Sequence, residues 1–184
     1  MNSGKYKRCK FLLSIGLVFA GFVLALPSAL AANLWQLEDE FVDEYGTRAR
    51  LSHWAGAQTV VAMEYSACKF VCTVNWRRLQ DIQAEADRQK IALNFLIISI
   101  DPKNDSPAAW RDYRKVRDLN RSNWNFVTGN RKATDRVVAS LGVKWWLFDD
   151  SIMHDFKVLR LNPAGQALAV MDNFDDPVAR FLKR

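Results

Sequence analysis

Two apolar runs with one helical stretch between them restrict this chain more than any other feature. "TVVAMEY", residues 59–65, is rich in β-branched residues and bounded in length as a buried strand is. "IALNFLIISI", residues 91–100, is nearly all apolar, the pattern of a central strand covered on both faces. Between them Val74, Trp76, Leu79, Ile82, Gln83 and Ala86 recur at three and four spacing, which predicts a helix from about Thr73 to Lys90. A strand, a helix and a second strand in this order form a βαβ crossover, whose helix must cover the sheet.

The flanking segments extend that sheet. Residues 35–51 predict an opening hairpin turning at Asp43-Glu44-Tyr45-Gly46. Ser106 is placed to cap a helix with Pro107 at its first position, and Trp110, Tyr113 and Val116 carry it to about Asn120. "NWNFVTG" predicts a short strand, and Arg131 to Leu141 a helix closed by Gly142. His154 to Leu161 and Gln166 to Met171 alternate as a hairpin around Asn162-Pro163-Ala164-Gly165. A last helix is expected from about Pro177 to the end. The fold class is therefore α/β: a mixed sheet flanked by helices, with an N-terminal β-hairpin.

Residues 1–32 are expected to be an export signal rather than part of this fold. Lys5, Lys7, Arg8 and Lys10 precede an uncharged run from Phe11 to Leu26, and Pro27 leads into Ala29-Leu30-Ala31, an A-x-A cleavage pattern. The alternative is an N-terminal anchor, since counting the apolar run on to Ala32 approaches the ~20 residues that span a bilayer. No cysteine follows that run as a lipoprotein signal would require. Losing four positive charges with the leader brings the formal net charge from +6 to +2. The basic whole-chain balance thus gives no reason to expect a nucleic-acid partner. Residues 33–184 are then expected to form one domain, placed in the periplasm or tethered to the inner membrane.

Of three cysteines, Cys9 lies in the leader, which leaves Cys68 and Cys72. Two cysteines in an exported domain do not make a disulfide scaffold. They fall where the first core strand meets its helix, and ligand crevices in open α/β sheets form at such strand ends. Four positions apart at a helix N-terminus, they can turn their sulfurs to one volume, and the helix dipole together with Lys69 favours thiolates. Core packing, a structural disulfide, a dithiol redox centre and a metal site all remain open on the pair alone.

A metal site needs further ligands, and imidazole beside two thiolates suits copper or zinc. Only His53 and His154 are available. His53 precedes Trp54 in the loop before the "TVVAMEY" strand and reads as an ordinary loop histidine. His154 opens a predicted strand after the irregular stretch "KWWLFDDSIM", on a loop that can reach the Cys68 edge of the sheet. Two surface features stand apart. Arg111, Arg114, Lys115, Arg117 and Arg121 make the Trp110 helix basic, as a solvated face or a patch for an acidic partner. Trp145-Trp146 is expected to pack.

"SHWAGAQTVVAMEYSACKFVC", "IISIDPKNDSP", "NFVTG", a histidine before a strand and "NPAG" resemble, in order and spacing, the Sco/SenC copper proteins over about residues 37–171. The resemblance implies a thioredoxin-like fold. It also implies one copper held by Cys68, Cys72 and His154, and service in assembling the binuclear copper site of cytochrome c oxidase. Asp101 and Pro102 match the family's segment after the central strand, where they would shape the strand end. The chain departs from the pattern at four positions: Lys69 and Thr73 stand where the family has Pro, Met153 where it has Asp, and Asn162 where its turn begins with Asp. Met153 could offer a thioether to copper(I), although Met is usually a core filler.

The expected function is accordingly copper delivery by ligand exchange, without catalytic residues, to a copper-accepting oxidase subunit. Another copper chaperone or a thiol reductant would serve as a further partner. The alternative is a thioredoxin-like thiol–disulfide oxidoreductase using Cys68 and Cys72 as a redox-active disulfide. Against it, the chain has C-x-x-x-C rather than C-x-x-C and no proline between Pro107 and Pro163 to face the pair.

Overall fold

The structure is a computed structural model describing residues 33–68 and 72–183, the side chains of Cys72 and Thr73 excepted. The expected leader, Cys9 and Lys69 lie outside the described residues. Among those described, no helix is long and apolar enough to cross a membrane.

The predicted crossover is present as β3 (Thr59–Glu64), α1 (Cys72–Arg88) and β4 (Asn94–Ser99), with β3 and β4 parallel from Thr59 opposite Asn94 to Glu64 opposite Ser99. All six residues of β3 are buried, because helices cover one face of the sheet and the helix Arg131–Leu141 with the N-terminal turns the other. Among the described residues seven strands make the sheet, in the order β2 (Arg48–Arg50), β1 (Glu40–Asp43), β5 (Trp124–Thr128), β4, β3, β8 (Val158–Leu161), β9 (Ala167–Met171). At one side it is extended by β5 (Trp124–Thr128), parallel to β4, and by the hairpin of β1 (Glu40–Asp43) and β2 (Arg48–Arg50). At the other, β8 (Val158–Leu161) runs antiparallel to β3 and pairs with β9 (Ala167–Met171) across the Asn162–Gly165 turn.

The alternation of strand side chains divides the core in two. Val61, Met63, Leu96, Ile98 and Val127 meet Val137 and Leu141 of α3 (Arg131–Leu141). On the opposite face Val60, Ala62, Phe95, Ile97 and Phe126 meet Leu79, Ile82 and Ala86 of α1 and Trp110 and Tyr113 of α2 (Pro107–Val116), with Phe181 of the short α4 (Val178–Phe181). Helix ends follow the sequence signals. Ser106 and Asn130 accept from the backbone N–H three residues on, and Gly142 closes α3 at φ 64°, a left-handed conformation that suits a residue without Cβ.

Several details differ from expectation, each for a tertiary reason. The buried stripe of α1 starts at Asn75, whereas Val74 is exposed, because the helix turns a polar group into the space beside Glu64. α2 stops at Val116, where Asp118 adopts φ 51°, and α4 is only one turn long. The basic face of α2 is not uniformly solvated. Arg114 is buried and ion-pairs with Glu44, and its Nε and terminal nitrogens also donate to the carbonyls of Leu119, Trp124 and Arg121 at 3.0–3.1 Å. Glu44, read as a turn residue, is 1% exposed and also accepts from the Phe126 N–H at 3.0 Å. Arg121 is paired with Asp87 at 2.7 Å.

The stretch expected to be irregular is a separate two-stranded ribbon, β6 (Trp145–Phe148) and β7 (Ser151–His154). Asp149 and Asp150 turn it with φ of 44° and 57°, the positive values that a tight two-residue hairpin requires. His154 thus ends β7 rather than opening the next strand. Trp145 and Trp146 do not pack as expected: all four residues of β6 are exposed, since among the described residues the ribbon pairs with no strand of the main sheet.

Candidate metal and thiol site at the end of β3

The antiparallel register of β8 on β3 brings the cysteine loop and His154 to one edge. Ala62, six residues before Cys68, lies opposite Val158, four residues after His154. The chain leaving β3 and the chain entering β8 therefore occupy the same end of the sheet. The Tyr65 hydroxyl joins them, donating to the Ile152 carbonyl of β7 at 2.8 Å. Cys68 and Ile152 both pack against the α3-side core.

The loop that begins at Tyr65 turns through the Cys68 N–H donating to the Tyr65 carbonyl at 3.3 Å. Asp105 fixes its start. One carboxylate oxygen accepts from the Ser66 N–H at 2.8 Å and the Ser66 hydroxyl at 2.6 Å, and the other accepts from Ser99 at 2.5 Å. Burial raises the Asp105 pKa from its ordinary value, and the Ser66 and Ser99 bonds oppose that shift. Asp101 donates its N–H to Ser99 Oγ at 3.0 Å, which supports the reading of this residue as shaping the strand end. Tyr65 and Asp105 are positioning residues that sequence reasoning passed over. "SIDPKNDSP" held the signal for Asp105, but only the fold shows that its last carboxylate turns back to Ser66.

Cys68 is half-buried and disulfide-bonded, and its partner lies outside the described side chains. Cys72 is the first residue of α1, so its backbone sits at the positive end of a seventeen-residue helix. His154 is 3% exposed. Its Nδ1 lies 2.9 Å from the Asp155 carbonyl, which can only accept, so Nδ1 carries the proton and Nε2 the lone pair in the neutral ring. Nε2 is buried without a hydrogen-bond partner among the described residues. Burial holds the ring's pKa below its ordinary value, against the Asp155 carbonyl bond and carboxylate. His53 is exposed and stacks edge-on with Trp54 at 5.1 Å between centroids.

A neutral imidazole with one nitrogen tied to a carbonyl and the other open is the form that binds a metal, and the tie fixes the ring's orientation. Among the described residues no group of three or more His, Cys, Asp or Glu is arranged to hold an ion. Any set containing Cys72 lies outside that group, because its side chain is not described.

Comparison with known proteins agrees with this architecture. The SCO1/SenC family model matches residues 31–182. A SCO1 protein homologue of Bacillus subtilis (strain 168) is 22% identical over 163 residues, covering 85% of this chain and 84% of its own. Among solved structures, Arabidopsis thaliana ScoI with copper bound superposes with a TM-score of 0.67 at 16% identity, over 78% of this chain and 90% of its own. BsSco, described as a member of the Sco family of cytochrome c oxidase assembly proteins with a disulfide switch, gives 0.67 at 18% identity, over 77% and 85%. With a family match across nearly all of the described residues and a shared thioredoxin-like fold, this chain belongs to the SCO1/SenC family.

Proposed function

We propose that the protein is a copper-binding metallochaperone that takes one copper ion on Cys68, Cys72 and His154 and passes it to a copper-accepting subunit of a respiratory oxidase. The observation that carries the reading is the His154 ring: neutral, oriented through Nδ1 and open at a buried Nε2, at the sheet edge where the cysteine loop begins. Two thiolates and an imidazole make a soft three-coordinate set that suits copper(I) and can also take copper(II). Copper is cargo here. The chain's own part is to offer the thiolates, orient the imidazole and release the ion by exchange to the client's ligands. The location that fits this role is the periplasm, with residues 1–32 acting as export signal or inner-membrane anchor.

Metal analysis of the reduced protein tests the ligand set. One copper per chain is expected, and His154→Ala should weaken binding without unfolding the domain, whereas His53→Ala should do little. Equal effects of the two substitutions would remove His154 from the set.

The disulfide at Cys68 favours a second reading, a thiol–disulfide oxidoreductase that reduces the client's copper-ligand cysteines with a Cys68–Cys72 pair. Bonded sulfurs offer no thiolates, so either reading requires the pair to be reduced before it acts. They separate at the histidine, because thiol exchange needs the sulfurs but not the imidazole. In cells carrying only the His154→Ala protein, oxidase assembly that falls and is partly restored by added copper supports delivery. Normal assembly, with loss only in Cys68→Ser, supports the reductant.

A further inference from the structure

The outer edge of β6 is open and apolar, and the hydrogen bonding of the ribbon determines which of its groups face outward. In an antiparallel pair, residues alternate between pairs that exchange both backbone bonds and pairs that exchange none. The Asp155 N–H donates to the Lys144 carbonyl at 2.9 Å, which makes Lys144 and Asp155 a bonded pair. Counting along the register, Trp146 with Met153 and Phe148 with Ser151 are bonded, whereas Trp145 with His154 and Leu147 with Ile152 are not. The bond from Tyr65 to the Ile152 carbonyl agrees, since that carbonyl then points out of β7. On β6 the N–H and C=O groups of Trp145 and Leu147 therefore point away from β7, and among the described residues nothing hydrogen-bonds them. Arg131 lies over one face of Trp145, its guanidinium 5.0 Å from the ring centroid, without bonding this backbone.

Edges of this kind are normally guarded by a proline, a charge within the strand, a bulge or a covering element, because they template pairing with another chain. Trp145-Trp146-Leu147-Phe148 has no such guard, and its side chains are 37%, 51%, 67% and 63% exposed. Its charges stand at the two ends instead: Lys144 before the strand, Asp149 and Asp150 in the turn after it, all exposed and none in an ion pair among the described residues. The outer strands of the main sheet differ. β2 carries Arg48 and Arg50, and β9 is followed by Asp172 but preceded by the uncharged Gln166.

An apolar strand with opposite charges at its ends is complementary to its own reverse. Parallel pairing of two copies would set Lys144 beside Lys144 and each aspartate turn beside the other. Antiparallel pairing is open only in registers that place outward-facing residues opposite one another. With Leu147 on the two-fold axis, Trp146 lies opposite the second copy's Phe148 and Lys144 opposite its Asp150, each contact occurring twice by symmetry. Both fall at non-bonded pairs of the new contact, where side chains approach most closely. The register with Trp146 on the axis would instead set Lys144 opposite Phe148 and leave the aspartates without a cation.

We propose that the protein self-associates through β6, two copies pairing antiparallel about Leu147 so that their ribbons join into one four-stranded sheet. The driving force is the marginal stability of a two-stranded ribbon, to which the second copy adds the strands and aromatic contacts that each lacks. With one short strand from each copy, the contact belongs to the weak, reversible class of interfaces. It uses neither cysteine nor the His154 ring, so it stands or falls independently of the copper reading.

The test is sedimentation velocity of the exported protein, metal-free and with free thiols blocked, from about 1 µM to about 1 mM, the range that brackets weak interfaces. Amide hydrogen exchange is measured at both ends of that range. A reversible monomer–dimer equilibrium is expected, with the Leu147 amide exchanging more slowly as the dimer fraction rises. Lys144→Glu should weaken the dimer about tenfold, because it reverses two symmetry-related charge pairs. Asp150→Lys should do the same, in a backbone conformation that Lys90 already adopts at φ 56°. An equimolar mixture of these two variants restores both opposite-charge pairs and should recover wild-type association. A protein that stays monomeric across the range overturns the proposal and leaves β6 to a different chain. A dimer in which the Leu147 amide exchanges as fast as in the monomer overturns it by placing the contact elsewhere. The wild-type measurements decide even if a variant does not fold.

Discussion

Replacing Tyr65 by Phe removes one oxygen and tests whether the hairpin carrying His154 is held in place for copper. The ribbon of β6 and β7 pairs with no strand of the main sheet, and an isolated two-stranded ribbon is at best marginally stable. The Tyr65 hydroxyl, on a side chain 5% exposed, is its hydrogen bond to the strand that leads into the cysteine loop. A hydrogen bond of this kind contributes about 0.5–1.5 kcal/mol net. If all of it goes into holding the ribbon, the ratio of ordered to disordered ribbon falls about two- to tenfold, and with a marginally stable ribbon, in which that ratio is near or below one, the apparent dissociation constant for copper(I) rises toward the same factor. The assay is competition of the reduced protein against a copper(I) chelator, beside amide hydrogen exchange of residues 145–154. Faster exchange in the ribbon with weakened copper binding is expected. Affinity within twofold of wild type while the ribbon exchanges faster would refute the reasoning, because the ribbon's order would then not limit binding.

Glu44→Ala should cost about 3–5 kcal/mol in urea unfolding, because Arg114 keeps its charge in a buried position and the Phe126 N–H loses its acceptor. A loss under about 1 kcal/mol would mean that Arg114's three carbonyl partners suffice. A pH series should show the Glu64 carboxyl working against stability on the alkaline side. Its folded pKa is raised above the unfolded value of about 4.5, so the native state holds a proton that the unfolded chain has released. Its contribution is complete below pH 4.5 and is lost as pH rises toward the folded midpoint. Glu64→Gln should flatten that part of the profile, and an unchanged slope would place the effect elsewhere.

Local signals read well wherever the chemistry that forms an element is itself local. "TVVAMEY" and "IALNFLIISI" contain the observed β3 and β4, Ser106 with Pro107 and Gly142 mark helix ends, and Asn162–Gly165 turns β8 into β9. These depend on period, caps and turn preferences carried by neighbouring residues. The family resemblance was legible for the same reason, since CxxxC, "SIDPKNDSP" and "NPAG" are contiguous stretches.

Tertiary structure decided what contiguity could not carry. β6 has no alternation to read because all four of its side chains face solvent, so "KWWLFDDSIM" passed for an irregular segment. Glu44 looks like a turn residue until Arg114, 70 positions away, closes on it. Asn75 breaks the expected stripe of α1 because its neighbour across the sheet face is Glu64, a residue on another element. His154 and the cysteine loop share an edge because β8 runs antiparallel to β3, and strand direction depends on pairing across the sheet rather than on residues within a strand. The types of ligand are written in the chain; their meeting place follows from the register of the sheet, because only backbone pairing between distant strands fixes where each loop emerges.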